Sequence, residues 1–265
     1  MKVVAIANQK GGCGKTTTSV NLAAALAQIG KKVVIVDLDA QGHTTLGFGY
    51  VPDELSRTIY DVIADPKVPI SNTILSTNIE GLKLVPSNIL LSGSESELYN
   101  LYDREYVLSQ RFDAIKNQYD FCIIDCSPSL SLLTLNALVA STDVIIPVQT
   151  QYYALEGLKQ LLETIDVVKA RFNPALKILG VLLTFVESRT MLSREIQRQM
   201  KEFFGDLVFD TVIHRNIRLA EAPSAGESCV TYDPKSKGAF EHLALAEEIC
   251  NETKTRTTQE NFVNL

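Results

Sequence analysis

The sequence predicts an α/β protein: a mostly parallel, twisted sheet with helices on both faces. Three observations carry that reading. Continuous apolar runs of strand length recur along the chain, the pattern of strands buried on both sides. Between them stand stretches with apolar residues at helical spacing, as crossovers between parallel strands require. The chemistry-bearing residues fall just past the strand ends, where such sheets place their ligands.

Residues 3–8 are β-branched and apolar and form the first strand. Residues 15–29 carry Val20, Leu22, Ala23, Leu26 and Ile29 at helical spacing, with Gly30 as a stop. Residues 33–37 and 121–125 are apolar runs that each end in an aspartate. Further strands are predicted over 82–86, 144–148, 178–184 and 208–213, and helices over 130–141, 155–172 and 239–252. The segment 65–100, rich in Ser, Asn and Pro, reads as an irregular surface excursion. The expected organisation is a single domain over 1–252 and a polar, flexible tail over 253–265.

Bulk composition narrows the class. Of 265 residues, 46% are hydrophobic and 21% charged, enough for a substantial core and against disorder. A net charge of −6 excludes a wholly basic nucleic-acid coat but not a local basic patch. The apolar runs fall far short of the roughly 20 residues that a membrane-spanning helix needs, and the start of the chain does not read as a signal peptide. Five scattered cysteines read as reduced packing thiols of a cytoplasmic protein, since Cys122 and Cys126 lack zinc spacing and a nearby histidine.

Strand, glycine-rich turn and helix start follow one another in Lys10-Gly11-Gly12-Cys13-Gly14-Lys15-Thr16-Thr17. Backbone amides of such a turn converge on phosphate oxygens, and the helix N-terminus adds its dipole. Lys15 would reach the β- and γ-phosphates of ATP, and the Thr16 hydroxyl would ligate Mg²⁺. A dinucleotide fingerprint G-x-G-x-x-G is absent. The usual phosphate-loop pattern has glycine where Gln9 stands, and a second lysine, Lys10, follows it.

This loop resembles the deviant Walker A motif of the ParA/MinD family of P-loop ATPases, which implies a P-loop NTPase-type fold. In that family the first lysine reaches the partner subunit's phosphates, so Lys10 would act across an ATP-sandwich homodimer, like an arginine finger supplied in trans. The run Asp37-Leu-Asp39-Ala40-Gln41-Gly42 resembles the second family motif; the resemblance assigns Asp39 to positioning the attacking water and Asp37 to the metal and lysine network. Asp125-Cys-Ser-Pro128 resembles a Walker B strand end, with Asp125 holding Mg²⁺. The segment His214-Arg215-Asn216-Ile-Arg218 resembles the one that packs on adenine, with Arg215 and Asn216 near the nucleotide. Relatives carry proline at the positions of Ala40, Ser127 and His214.

The resemblance covers roughly residues 1–250 and is greatest to the short chromosomal (Soj-like) ParA type. Tyr152-Tyr-Ala-Leu-Glu156-Gly and Leu219-Ala-Glu-Ala-Pro223-Ser also look like that type. It implies a nucleoid-associated partition switch that dimerises with ATP, binds double-stranded DNA without sequence preference, and is released when a ParB-like centromere-binding protein stimulates hydrolysis. Basic residues for the DNA contact are at hand: Arg189, Arg194 and Arg198, joined by Lys201 against the one acid Glu195, then Arg215, Arg218 and Lys235. A MinD-like spatial regulator of cell division, or a positioner of another cargo, is the alternative. The MinD-like reading predicts a C-terminal amphipathic membrane anchor that residues 253–265 do not resemble. A metabolic enzyme on the same scaffold, such as a nitrogenase-type iron protein or dethiobiotin synthetase, is a third. The iron protein needs clustered cysteine ligands, and Cys126 has no suitably placed companion.

Overall fold

The computed structural model describes residues 1–151 and 156–251. The expected tail and most of the Tyr152–Gly157 phrase lie outside the described residues. Seven strands form one sheet: β1 (Lys2–Ile6), β2 (Val33–Leu38), β3 (Leu75–Ser76), β4 (Leu82–Val85), β5 (Phe121–Cys126), β6 (Asp143–Gln149) and β7 (Lys177–Thr184), in the order β3-β4-β2-β5-β1-β6-β7. All pairs are parallel except β3 with β4.

The unbroken apolar runs are explained by burial on both sides. Within β1, Val4 and Ile6 face one core and Val3 and Ala5 the other. The first core is closed by α1 (Lys15–Gln28), through Leu22 and Leu26, and by the C-terminal helix Lys237–Asn251, through Leu245 and Ile249. The second is closed by the helices Val107–Phe112, Leu132–Ala140, Lys159–Arg171 and Met191–Phe204, through Leu108, Leu138, Ile165 and Ile196. Because β5 lies between β2 and β1, all parallel, the residues that follow β1, β2 and β5 meet at the C-terminal ends of the strands.

Two expectations are corrected. Residues 208–213 form no strand: Val208 and His214 make isolated bridges to Val181 and Val186, and between them the amides of Asp210 and Thr211 donate to the Glu248 carboxylate. That carboxylate takes the place of a ladder on β7. The segment 65–100 is not merely surface. Besides β4, which was expected over 82–86, it contains the two-residue β3 and buries Ile70, Leu91 and Leu98 in the core.

Candidate nucleotide site and basic face

The phosphate loop is shaped by glycine and pinned from neighbouring strands. Gly12 and Gly14 have φ of +71° and +89°, conformations that cost glycine little. Asn8 Nδ2 donates to the Pro147 carbonyl of β6 at 2.6 Å, and Asn8 Oδ1 accepts the Lys10 amide at 3.0 Å. The Cys13 carbonyl accepts from Thr184 Oγ1 at the end of β7, 2.8 Å away. The first turn of α1 carries no acid and no side-chain cap, so its amides face the loop without a competing anion.

The two lysines of the loop differ in setting. Lys15 is buried, its Nζ donating to the Lys10 carbonyl at 2.9 Å. Lys10 is half-buried, and among the described residues its Nζ reaches only Gln151 Oε1, at 3.5 Å. Cys13 Sγ lies 4.0 Å from Lys15 Nζ, and burial pushes its thiol upward. It packs; it is not poised as a nucleophile.

The carboxylates meet as the sheet order requires. Asp125 is fully buried; its Oδ2 accepts from Thr16 Oγ1 and Thr44 Oγ1, both at 2.8 Å, and its Oδ1 from Ser19 Oγ at 2.9 Å. Burial raises its pKa against the pull of these hydroxyls. Asp37 is pushed up to about 7, first by burial and then by Asp125. Its hydrogen bonds go to the amide and hydroxyl of Thr45, at 2.8 and 2.7 Å, and to the Asp39 amide at 3.3 Å; none goes to a lysine. Asp39 is half-buried beyond the strand, where its Oδ1 accepts the Gln41 amide at 3.0 Å. Ser19, Thr44 and Thr45 are therefore part of this constellation, although sequence reading did not select them.

The donor set suits a hard divalent cation: Thr16, Thr44 and Asp125 offer oxygen alone. The described residues hold no cluster of three or more His, Cys, Asp or Glu able to cage a metal by themselves. A magnesium ion here would be held by one or two protein oxygens together with phosphate, its usual mode.

Residues 213–215 run beside the end of β7, with the Val186 amide donating to Ile213 and the Arg215 amide to Val186. Asn216 Oδ1 accepts the Arg218 amide at 2.8 Å and caps the short helix Ile217–Glu221. His214 is clamped between Ser188 Oγ (2.9 Å) and Glu241 Oε1 (2.6 Å). A cavity of about 710 Å³ opens beside the start of α1, lined by Thr16, Thr17, Tyr50, Leu219 and Pro223 among others, but not by Arg215 or Asn216.

The basic residues are not equally free. Arg198 is bracketed by Glu195 and Glu202, Arg215 pairs with Glu187 at 3.0 Å, and Arg218 pairs with Glu221 and Asp233 at 2.7 and 3.1 Å. Arg189, Arg194 and Lys235 are exposed and form no ion pair among the described residues; Arg194 Nε donates to the Ser188 carbonyl.

A family model described as an AAA domain matches residues 1–178. The sporulation initiation inhibitor protein Soj of Bacillus subtilis is 49% identical over 248 residues, covering 94% of this chain and 98% of that protein. The chromosome partitioning protein ParA of Myxococcus xanthus is 44% identical over 248 residues, covering 94% of this chain and 87% of that one. A cobyrinic acid a,c-diamide synthase of Mycobacterium smegmatis, solved with an ATP analogue and magnesium, superposes with a TM-score of 0.85 at 38% identity over 96% of both chains. With the two-lysine loop, the paired aspartates and the parallel sheet, these similarities show that the chain belongs to the ParA/MinD family of P-loop ATPases, beside the chromosome-partitioning ParA proteins.

Proposed function

We propose that this protein is an ATP-driven DNA-partition switch. The observation that carries the reading is the meeting of Lys15, Thr16 and Asp125 around one loop, with Asp39 near enough to Asp125 for its charge to act there. Lys15 would exchange the Lys10 carbonyl for nucleotide phosphate. Thr16 and Asp125 would hold Mg²⁺, which neutralises charge developing on the phosphates when bound. Asp39, beyond the strand end, would orient the attacking water; phosphoryl transfer needs positioning more than a strong base.

Lys10, whose Nζ has only the 3.5 Å contact with Gln151 among the described residues, would exchange it for the phosphates of a second chain. ATP would then join two copies and double a basic face around Arg189, Arg194, Arg215, Arg218 and Lys235. Phosphate contacts of this kind give affinity without sequence preference. A ParB-like partner that stimulates hydrolysis would release the DNA, placing the protein on the nucleoid in the cytoplasm. No helix among the described residues is long and apolar enough to cross a membrane.

Asp39→Ala tests the reading. The variant should bind ATP, remain dimeric and stay on DNA, with hydrolysis reduced to background. Normal turnover would remove Asp39 from the water-positioning role. Flotation of the ATP-loaded protein with liposomes, without DNA retention, would replace the reading with a MinD-like one. The similarity to the diamide synthase favours a second reading, ATP-dependent amide formation. It predicts ADP release that depends on a carboxylic acid and a nitrogen donor, not on DNA and a protein partner.

A further inference from the structure

A hydrogen-bonded chain starts in the phosphate loop and ends on an arginine of the basic face. Thr184 Oγ1 donates to the Cys13 carbonyl at 2.8 Å. The carbonyl of the next residue, Phe185, accepts from Thr150 Oγ1 at 3.3 Å. Ser193 Oγ donates to Thr150 Oγ1 and accepts the Glu187 amide, both at 3.2 Å. The Glu187 carboxylate then pairs with Arg215 at 3.0 Å. Thr150, Thr184 and Ser193 are all buried, so water does not readily replace a broken link.

Phe185 stands between the loop and the rest of this chain in an unusual backbone state. Its φ is +51°, the one positive value among the described non-glycine residues. Its ring lies 3.4 Å from the position a Cβ on Gly14 would take, so it rests against the phosphate loop itself. Strain of this sort persists where surrounding contacts enforce it, and it suits a segment with two arrangements.

The two ends of the Glu187–Arg215 pair are anchored differently. Glu187 hangs from Ser193 and thus from the relay. Arg215 follows His214, which is fixed to Glu241 of the C-terminal helix through both its ring Nδ1 (2.6 Å) and its amide (2.9 Å). The two segments are also joined by the exposed bond of Ser188 Oγ to His214 Nε2 and by two backbone bonds, from the Val186 amide to the Ile213 carbonyl at 3.0 Å and from the Arg215 amide to the Val186 carbonyl at 3.3 Å. These backbone bonds hold the two segments together, so the relay acts on the Glu187 side chain, whose own amide rests on Ser193; a shift there separates the carboxylate from the guanidinium. Both side chains are largely exposed, which makes the pair weak and easy to exchange for another anion.

We propose that Glu187 is a gate on Arg215, opened through Thr184, Phe185, Thr150 and Ser193 when nucleotide occupies the phosphate loop, so that a DNA phosphate replaces the carboxylate. The inference rests on the DNA-binding reading above and deepens it: the gate acts within one chain, apart from any effect of pairing two chains. Glu187, Thr150 and Ser193 are positioning residues; among the described residues their polar contacts in the relay go to one another, to Phe185 and to Arg215, not to the phosphate loop.

The test uses the full chain and a labelled double-stranded DNA of arbitrary sequence, with anisotropy read with Mg-ATP and without nucleotide. Glu187→Gln should raise affinity without nucleotide by about threefold to fivefold, the worth of an exposed ion pair, and shrink the ATP effect. Thr150→Val and Ser193→Ala should leave ATP affinity unchanged and also shrink the ATP effect. Wild-type ratios in all three variants would overturn the gate. Hydrogen exchange of amides 186–193, with and without ATP, separates this from the partition reading. If the wild type binds no DNA in either state, the partition reading fails and exchange alone decides the gate: a response to ATP that Thr150→Val and Ser193→Ala abolish supports it, and no response in the wild type overturns it.

Discussion

Asp37 and Asp125 are register partners on the adjacent parallel strands β2 and β5, and both are fully buried. Withdrawal from water, and then the neighbouring charge of Asp125, carry Asp37 up to about 7. A divalent cation at Asp125 and Thr16 would relieve that repulsion. Saturating Mg-ATP, at roughly 100 times its Kd, should add about 2.7 kcal/mol to stability. Asp125→Asn should lose most of the magnesium-dependent part of that gain. Thermal unfolding with ATP, with and without Mg²⁺, reads the difference; an unchanged magnesium increment would mean that Asp125 holds no metal.

The contrast between Lys15 and Lys10 gives a second prediction. Lys15 is buried at the mouth of α1, whereas Lys10 has only a long contact with Gln151. Lys15→Ala should weaken ATP binding by about 10- to 100-fold, the worth of a charge-assisted hydrogen bond. Lys10→Ala should leave binding to one chain within about threefold, as expected for a charge with one long polar contact, and abolish ATP-dependent dimerisation. Titration with a fluorescent ATP analogue and light scattering measure the two effects separately. Equal losses of ATP affinity would sink the assignment of Lys10 to a second chain's nucleotide.

The basic face yields a third. Arg198 is neutralised along its own helix by Glu195 and Glu202, while Arg189 and Arg194 have no carboxylate partner among the described residues. Arg189→Glu with Arg194→Glu should therefore reduce DNA affinity far more than Arg198→Glu. The slope of log affinity against log salt should become shallower by about 0.9 for each DNA phosphate that is no longer neutralised. Equal effects from both changes would mean that the pairing of Arg198 dissolves on DNA.

What sequence could reveal was set by range. The phosphate loop and the aspartates at 37, 39 and 125 are local patterns of strand end, turn and helix start, and they stand where such patterns place them. Ser19, Thr44 and Thr45 were missed because a hydroxyl acquires a role only when β5 arrives beside β1 and β2. The masking of Arg215 by Glu187 and the clamp of His214 on Glu241 join residues 28 and 27 positions apart, and no periodicity marks such pairs. The bracket on Arg198 was within reach, since Glu195 and Glu202 lie one helical turn to either side. A strand was expected over 208–213 because its apolar residues fit, but the decisive partner is Glu248, a carboxylate far along the chain.

Gly226 supports a prediction about the cavity beside α1. It has a φ of +69°, and a Cβ there would come within 2.6 Å of the Gly49 Cα. Gly49 and Gly226 both line the cavity, so their close approach joins the segment after Thr44 and Thr45 to the one after Pro223. Gly226→Ala should cost about 2 kcal/mol or more, from the left-handed backbone and the clash together. Gly93→Ala, where a Cβ meets nothing within 4 Å and φ is negative, is the matched control. Urea melts of both variants check the difference, and equal midpoints would refute the close approach.

His242 gives a pH dependence with a definite sign. It is fully buried in the C-terminal helix, its Nδ1 bonded to the Gly238 carbonyl at 2.8 Å and its Nε2 without a partner among the described residues. Burial lowers its pKa from 6.5 to about 4. Above pH 6.5 both folded and unfolded states are neutral at this residue, and it contributes no pH dependence. As pH falls from 6.5 towards 4, the unfolded chain takes up a proton that the folded chain refuses, so stability declines across that window. The full decline attributable to His242 is about 3 kcal/mol. His242→Leu removes the titrating group and the orphaned nitrogen at similar volume. The variant should match the wild type at pH 7.5 within about 1 kcal/mol and exceed it progressively as pH falls below 6. Denaturant unfolding at pH 7.5, 6.0 and 5.0 measures the crossover, and parallel loss of stability in both proteins would show that this histidine takes up its proton in the folded state.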